Sequence, residues 1–169
     1  MRLISLSRFW PHVLSTVKIS DSIARYRGHF FKCAALALVV TALLKVVTVF
    51  QGAKVLLAGD PLFTFCSNRQ VLVLAAVLEV AVVWLLMRPS TDRAKLVGIL
   101  WLCLVFATYR LGLVWIGFRG YCRCMGSMSE WLHISPEITD AISKGILCVM
   151  MIGAVVLLIW EVRFQNRRR

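Results

Sequence analysis

The amino-acid sequence predicts an all-α protein, a polytopic membrane four-helix bundle whose four transmembrane helices leave both termini in the cytoplasm. Of its 169 residues, 60% are hydrophobic, and the mean hydropathy is +0.80, whereas a soluble domain needs more polar surface. The apolar residues form four blocks separated by short polar stretches, and about 20 apolar residues cross a bilayer as a helix. Basic residues gather at the ends of these blocks, where they meet lipid headgroups.

The four predicted spans cover about residues 29–50, 70–87, 96–118 and 136–162. Together they form one bundle, residues 29–163, followed by a basic tail at 164–169. The fourth helix is expected to begin at Ser135-Pro136-Glu137, which places serine at the N-cap, proline at the first helical position and an acid in the first turn. It is longer than the bilayer is thick, so its first turns are expected to project into the outer aqueous phase.

Residues 1–28 precede the first span and have a mixed, basic character. Their apolar residues fall close to helical spacing, with Arg2, Arg8 and Lys18 between them. This pattern predicts an amphipathic helix lying in the inner headgroup layer, with a disordered basic tail as the alternative. The segment lacks the uninterrupted apolar core and small-residue cleavage site of a secretory signal, so we expect it to be retained.

The two sides of the predicted bundle differ in charge, which predicts its orientation. Twelve lysines and arginines lie in the N-terminal segment, the loop after the second span and the C-terminal tail, whereas five lie on the opposite side. By the positive-inside rule the side with twelve is cytoplasmic, which predicts a multi-pass protein of the bacterial inner (cytoplasmic) membrane. The net charge of +12 comes without a nucleic-acid-binding motif, so we expect the lipid bilayer as a partner and no nucleic acid.

Six cysteines divide into two groups by position. Three lie in apolar spans, where a thiol most often packs as a small buried hydrophobe; they are Cys33, Cys103 and Cys148. The other three lie in the two outer loops, on the side that is oxidising in bacteria; they are Cys66, Cys122 and Cys124.

The outer cysteines are disulfide candidates with two alternative roles. A bridge within Cys122-Arg123-Cys124 closes a very small ring, and strain makes such a bond easier to reduce. Arg123 also favours the thiolate that attacks a disulfide, so Cys122 and Cys124 are the candidate redox pair. A bridge from Cys66 to either of them would instead staple the outer loops together. We expect no metal site, because His133 is the only imidazole nearby and no four-ligand set is present.

Three ionisable residues lie well inside the predicted spans: Lys45, Glu79 and Arg110. Ionisable groups at such depth cost several kcal/mol unless they are paired or hydrated, so they rarely face lipid. All three fall in the central-to-outer part of the bundle, and we expect the Glu79 carboxylate to bridge Arg110 and Lys45. Such a cluster either fixes the registry of the helices or forms a polar pocket for a quinone head group or an anionic ligand.

Four short segments of the chain stand out together: Ala42-Leu43-Leu44-Lys45, Asp60-Pro61, Leu78-Glu79-Val80-Ala81 and Cys122-Arg123-Cys124-Met125-Gly126. With them the chain resembles the MauE/DoxX-like family of four-span membrane proteins over roughly residues 30–162. The Cys-x-Cys segment is similar to the family's Cys-x-Cys-Phe-Gly, with Met125 in place of the aromatic residue.

The resemblance implies a thiol–disulfide accessory factor for exported redox proteins, linked to membrane electron carriers. It nominates Cys122 and Cys124 as the redox pair, Lys45 and Glu79 as matched polar positions, and a quinone as the candidate carrier. The alternative hypothesis is a non-catalytic structural or accessory subunit of a larger membrane protein complex. Both hypotheses predict other membrane or periplasmic protein subunits as partners.

Overall fold

The computed structural model describes residues 10–50, 59–63, 65–117 and 135–166. These residues form four α-helices, which are α1 (Trp10–Phe50), α2 (Asn68–Met87), α3 (Asp92–Trp115) and α4 (Pro136–Asn166). An isolated β-bridge joins Gly59 and Ser67 ahead of α2. The chain divides into two compact units, Met1–Cys33 and Ala34–Arg169, and the sites described below lie in the second.

Each helix contains a stretch that is long and apolar enough to cross a membrane. The stretches are Arg25–Phe50, Asn68–Met87, Asp92–Trp115 and Glu137–Arg163. They coincide with the four predicted spans to within a few residues, which confirms the expected all-helical fold with four candidate transmembrane helices. The assignment of both termini to the cytoplasm stays a prediction.

Local capping sets the ends of α2 and α3. Ser67 and Gln70 form a capping box, in which the Gln70 amide donates to the Ser67 hydroxyl at 3.3 Å and the Ser67 amide donates to the Gln70 side chain at 2.9 Å. The Thr91 hydroxyl accepts from the Ala94 amide at 3.4 Å. This cap explains why α3 begins at Asp92, four residues before the apolar span predicted from residue 96.

The ends of the other predicted elements are partly confirmed and partly different. Helix α4 begins at Pro136 as predicted, and the amides of its first turn donate to the Ser135 carbonyl. It continues to Asn166, so the predicted tail from residue 164 begins as helix. Helix α3 ends at Trp115, three residues earlier than predicted, and Gly117 follows with a φ of 69°, a left-handed conformation that favours glycine.

The N-terminal segment differs from the expectation of a separate interfacial helix. Helix α1 runs without interruption from Trp10 to Phe50, across the boundary expected at residue 28. No proline follows Pro11 within this helix, and Gly28 is its one glycine; a single interior glycine costs only about 1 kcal/mol of helix stability. Helical structure over residues 10–28 is therefore confirmed, whereas its placement in the headgroup layer stays a prediction.

Helix α3 packs against both α2 and α4. Its inward face holds the largest fully buried apolar side chains of the described residues, Leu96, Ile99, Leu102 and Cys103. The outward faces of the helices are apolar as well, with exposed residues such as Leu43, Val77, Trp101 and Ile152. Exposed apolar surface of this extent would drive association in water, but it is compatible with hydrocarbon as the surrounding solvent.

Candidate functional site

The first candidate site is a buried ion pair between α1 and α2. The Lys45 Nζ lies 2.5 Å from the Glu79 Oε1, and the two side chains are 4% and 3% exposed. Lys45 shares the buried face of α1 with Ala34, Leu38 and Ala42. The predicted contact between Glu79 and Lys45 is therefore confirmed.

Hydroxyl and aromatic groups surround this pair. Thr41 and Thr48 flank Lys45 by about one helical turn on either side. The Thr41 hydroxyl approaches the Glu79 carboxyl group, but it donates its own proton to the Leu38 carbonyl at 3.1 Å. The Lys45 ammonium also lies over the Phe106 ring of α3, 5.5 Å from its centroid, within the range of a cation–π contact.

The two carboxylate oxygens of Glu79 are bonded unequally. Oε1 accepts from Lys45, whereas Oε2 is buried and has no hydrogen-bond partner among the described residues. A carboxylate can accept about four hydrogen bonds, and a buried acceptor without a donor is destabilising. The pair thus contains an unused acceptor in the interior of the bundle.

The second candidate site joins α3 to α4 through Arg110. Its Nη1 donates to the Asp140 Oδ1 at 3.1 Å, and its Nη2 donates to the Ser143 Oγ at 2.7 Å. Lys144 reaches the other oxygen of Asp140, with its Nζ 2.6 Å from Oδ2. We refer to Arg110, Asp140, Ser143 and Lys144 as the Arg110 cluster.

The expected bridge from Glu79 to Arg110 is wrong, because Arg110 binds α4 instead. On α4 the Arg110 guanidinium donates to Asp140 and Ser143, whereas the Glu79 carboxylate accepts from Lys45 of α1. The spacing of Asp140 and Lys144, four residues apart on one helix, was the sequence signal for this cluster.

The third site is the Asp60 loop, residues 59–63, 65 and 66. Asp60-Pro61 was predicted only as part of a family pattern, and the role of Asp60 as a buried anchor was not predicted. Asp60 Oδ1 accepts from the amides of Leu62 at 2.8 Å and Phe63 at 3.0 Å, and Oδ2 accepts from the Tyr109 hydroxyl at 2.7 Å. Because Tyr109 belongs to α3, the carboxylate attaches this loop to the helix that also carries Arg110.

The Asp60 loop also fixes the backbone of Cys66. The Asp60 amide donates to the Cys66 carbonyl at 2.9 Å, and the Cys66 amide donates to the Phe63 carbonyl at 2.8 Å. Cys66 is partly exposed and forms no disulfide with another cysteine of the described residues. Cys122 and Cys124 lie outside the described residues, so their pairing with each other or with Cys66 stays a prediction.

The cysteines within the helices do not share one environment. Cys103 is buried in α3, as expected for a packing residue, but Cys33 and Cys148 are exposed. The expectation of burial is therefore wrong for these two. A thiol is apolar enough to lie on an outward helix face, so the hydropathy of a span does not determine its burial.

Among the described residues, no group of three or more histidine, cysteine, aspartate or glutamate side chains could hold a metal ion. A quinone head group does not fit the Lys45–Glu79 pair, because the two side chains bind each other and the bundle encloses both of them. No protein-family model matches the chain, and neither a curated protein nor a solved structure does so. The resemblance to the MauE/DoxX-like family stays a prediction.

Proposed function

We propose that this chain is a membrane-embedded thiol–disulfide accessory protein that acts on an exported client protein. The observation that carries the proposal is the placement of a partly exposed cysteine, Cys66, in a loop attached to α3 through Asp60 and Tyr109. The segment carrying Cys122 and Cys124 leaves this same helix after Trp115 and leads to Pro136. Three cysteines of the chain thus belong to the connections next to one end of α3.

The proposed reaction is an exchange between the Cys122–Cys124 disulfide and a client dithiol. A client thiolate attacks one sulfur of this disulfide, forms a mixed disulfide and releases the other sulfur as a thiolate. The second client thiolate then attacks the client sulfur of the mixed disulfide and releases the second cysteine of this chain. The client leaves with a disulfide, while Cys122 and Cys124 gain two electrons and two protons as thiols. Arg123 favours the thiolate form of its neighbours and thereby the reverse attack.

A redox titration with differential alkylation tests this proposal on the full-length protein in lipid vesicles. We expect Cys122 and Cys124 to change state together, within the range of exchange-active dithiols, about −270 to −120 mV. The Cys148→Ser variant is the matched control, because Cys148 is an exposed thiol on a transmembrane helix, and its titration should equal that of the wild type. A Cys66 bond that resists reduction, or the absence of any bond, would contradict the proposal.

A non-catalytic subunit of a larger membrane complex is the competing function. Both carboxylate oxygens of Asp60 and of Asp140 accept hydrogen bonds, and such closed networks favour a rigid scaffold. Purification in mild detergent distinguishes the two functions. A scaffold keeps its co-purifying subunit when all three outer cysteines are replaced by serine, whereas an exchange protein loses its mixed disulfide with the client.

A further inference from the structure

We propose that Glu79 is a proton-binding site inside the helical bundle, with Lys45 as its counter-ion. The site is independent of the thiol exchange proposed above. Its ligand is a proton, bound at Oε2, the buried carboxylate oxygen that has no hydrogen-bond donor among the described residues. Its basis is a comparison of three shielded carboxylates in the same chain.

Asp60 and Asp140 are the two carboxylates of the comparison whose oxygens all accept hydrogen bonds or ion-pair contacts. Asp60 is 2% exposed, and it accepts two backbone amides at Oδ1 and the Tyr109 hydroxyl at Oδ2. Asp140 accepts from Arg110 at Oδ1 and from Lys144 at Oδ2. Each of their oxygens therefore has a donor, as expected for shielded charges that hold elements together.

Glu79 differs from both in its bonding, although it is as buried as Asp60 and more buried than Asp140. Glu79 is 2% exposed, its Oε1 contacts Lys45, and its Oε2 has no donor among the described residues. A buried ion pair stabilises a fold only when additional hydrogen bonds satisfy its remaining lone pairs. Since Oε2 lacks such a bond among the described residues, helix registry alone does not account for the pair. A free acceptor at this depth is suited to receive a proton.

Proton uptake at this oxygen balances with the groups that are present. Hydronium gives one proton to Oε2 and leaves as water, so the carboxylate becomes a carboxylic acid and the net charge of the pair rises from zero to +1. Lys45 then remains as a cation above the Phe106 ring, whose π face stabilises a desolvated ammonium group. Release of the proton restores the ion pair.

The other ionisable groups of the described helices are engaged elsewhere or lie away from this carboxyl. On α3, Tyr109 binds Asp60 and Arg110 binds Asp140, and Cys103 is a buried thiol. On α4, Lys144 belongs to the Arg110 cluster. Glu161 also has an oxygen without a partner, but it is only partly buried. Lys45 of α1 is thus the one charged group that the described residues place against Glu79.

Infrared difference spectroscopy of the full-length protein in phosphatidylcholine vesicles tests the assignment. On acidification we expect the carbonyl stretch of a protonated carboxyl, shifted in D₂O and absent from Glu79→Gln. Asp60→Asn is the matched control, since it removes an equally buried carboxylate that is fully bonded, and the band should survive. In Lys45→Met the band should already be present at neutral pH, because a buried carboxylate without its counter-ion is neutral. A band that persists in Glu79→Gln overturns the assignment.

A second measurement does not require the Glu79→Gln variant to fold. Wild-type protein labelled with ¹³C at the glutamate carboxyl should show the same band at lower frequency, and Glu161→Gln should retain it. If the band does not shift with the label, the proton resides on an aspartate and the assignment is wrong. If acidification of the folded protein produces no protonated-carboxyl band, the assignment is also wrong.

Discussion

A double-mutant cycle on the Lys45–Glu79 pair measures how strongly the bundle depends on it. Lys45→Met removes the hydrogen bond that Glu79 Oε1 accepts. Glu79→Leu removes the counter-ion of Lys45 and leaves its contact with the Phe106 ring. Removing one partner of a buried ion pair destabilises a fold by about 3–5 kcal/mol. Glu79 can take up a proton and Lys45 retains its cation–π contact, so we expect about 3 kcal/mol for each single variant.

The double variant should be far less damaging than either single change. Replacing both members with apolar residues of similar volume removes the desolvation cost together with the attraction, so its stability should lie within about 1 kcal/mol of the wild type. The coupling free energy is then several kcal/mol. An exposed ion pair gives only about 0.2–1 kcal/mol, so the burial of both side chains, 4% and 3% exposed, determines the expected size.

Unfolding with SDS in mixed micelles, followed by circular dichroism, gives the four stabilities of this cycle. Lys144→Gln is the matched control, because its side chain is 63% exposed and also pairs with a carboxylate; its loss should stay within about 0.5 kcal/mol. A coupling below about 1 kcal/mol for Lys45 and Glu79 would show that water reaches the pair, and the reasoning from burial would fail.

Three further variants test the other contacts. Asp60→Ala removes three hydrogen bonds and should cost about 2–3 kcal/mol of stability. Maleimide should then label Cys66 at least about tenfold faster, since about 1.4 kcal/mol is tenfold in population. An unchanged labelling rate would contradict the fixation of Cys66 by this loop. In Arg110→Lys the lysine cannot reproduce the fork of two N–H groups, so the variant should lose about 1–2 kcal/mol of stability in SDS unfolding. A loss no larger than that of Lys144→Gln would contradict a stabilising role of the Arg110 cluster. In Gly98→Val the added Cβ would lie only 2.7 Å from a methyl group of Leu85 on α2, and this overpacking should cost about 1–3 kcal/mol of stability. Unchanged thermal unfolding would contradict this, because it would show that the leucine side chain moves aside without cost.

Several features of the fold were predictable because they depend on the chain locally. The four apolar blocks predicted the four helices, and Pro136 marked the start of α4 correctly. The ends of α3 were less predictable, because hydropathy locates the apolar span and the helix extends back to its cap at Thr91. The start at Asp92 is indicated by the capping hydroxyl of Thr91 rather than by the apolar residues.

The candidate sites were predictable only in part. The cost of burying a charge predicts that Lys45 and Glu79 each form an ion pair or hydrogen bond, and in the structure they pair with each other. Burial cost does not say which acid Arg110 pairs with, and the packing of α3 against α4 places it beside Asp140. Asp60 was missed for a related reason, since its partner Tyr109 is 49 residues away in the chain.

By itself, the sequence determined that this protein is helical, that four of its segments are apolar enough to cross a membrane, and which residues carry charge into them. These properties sum over neighbouring residues, so they can be read along the chain. Only the tertiary structure decided which charges meet, which cysteines face outward, and that one oxygen of Glu79 has no donor among the described residues. These outcomes depend on the rotation and depth of each helix against the others, and packing between distant segments fixes both.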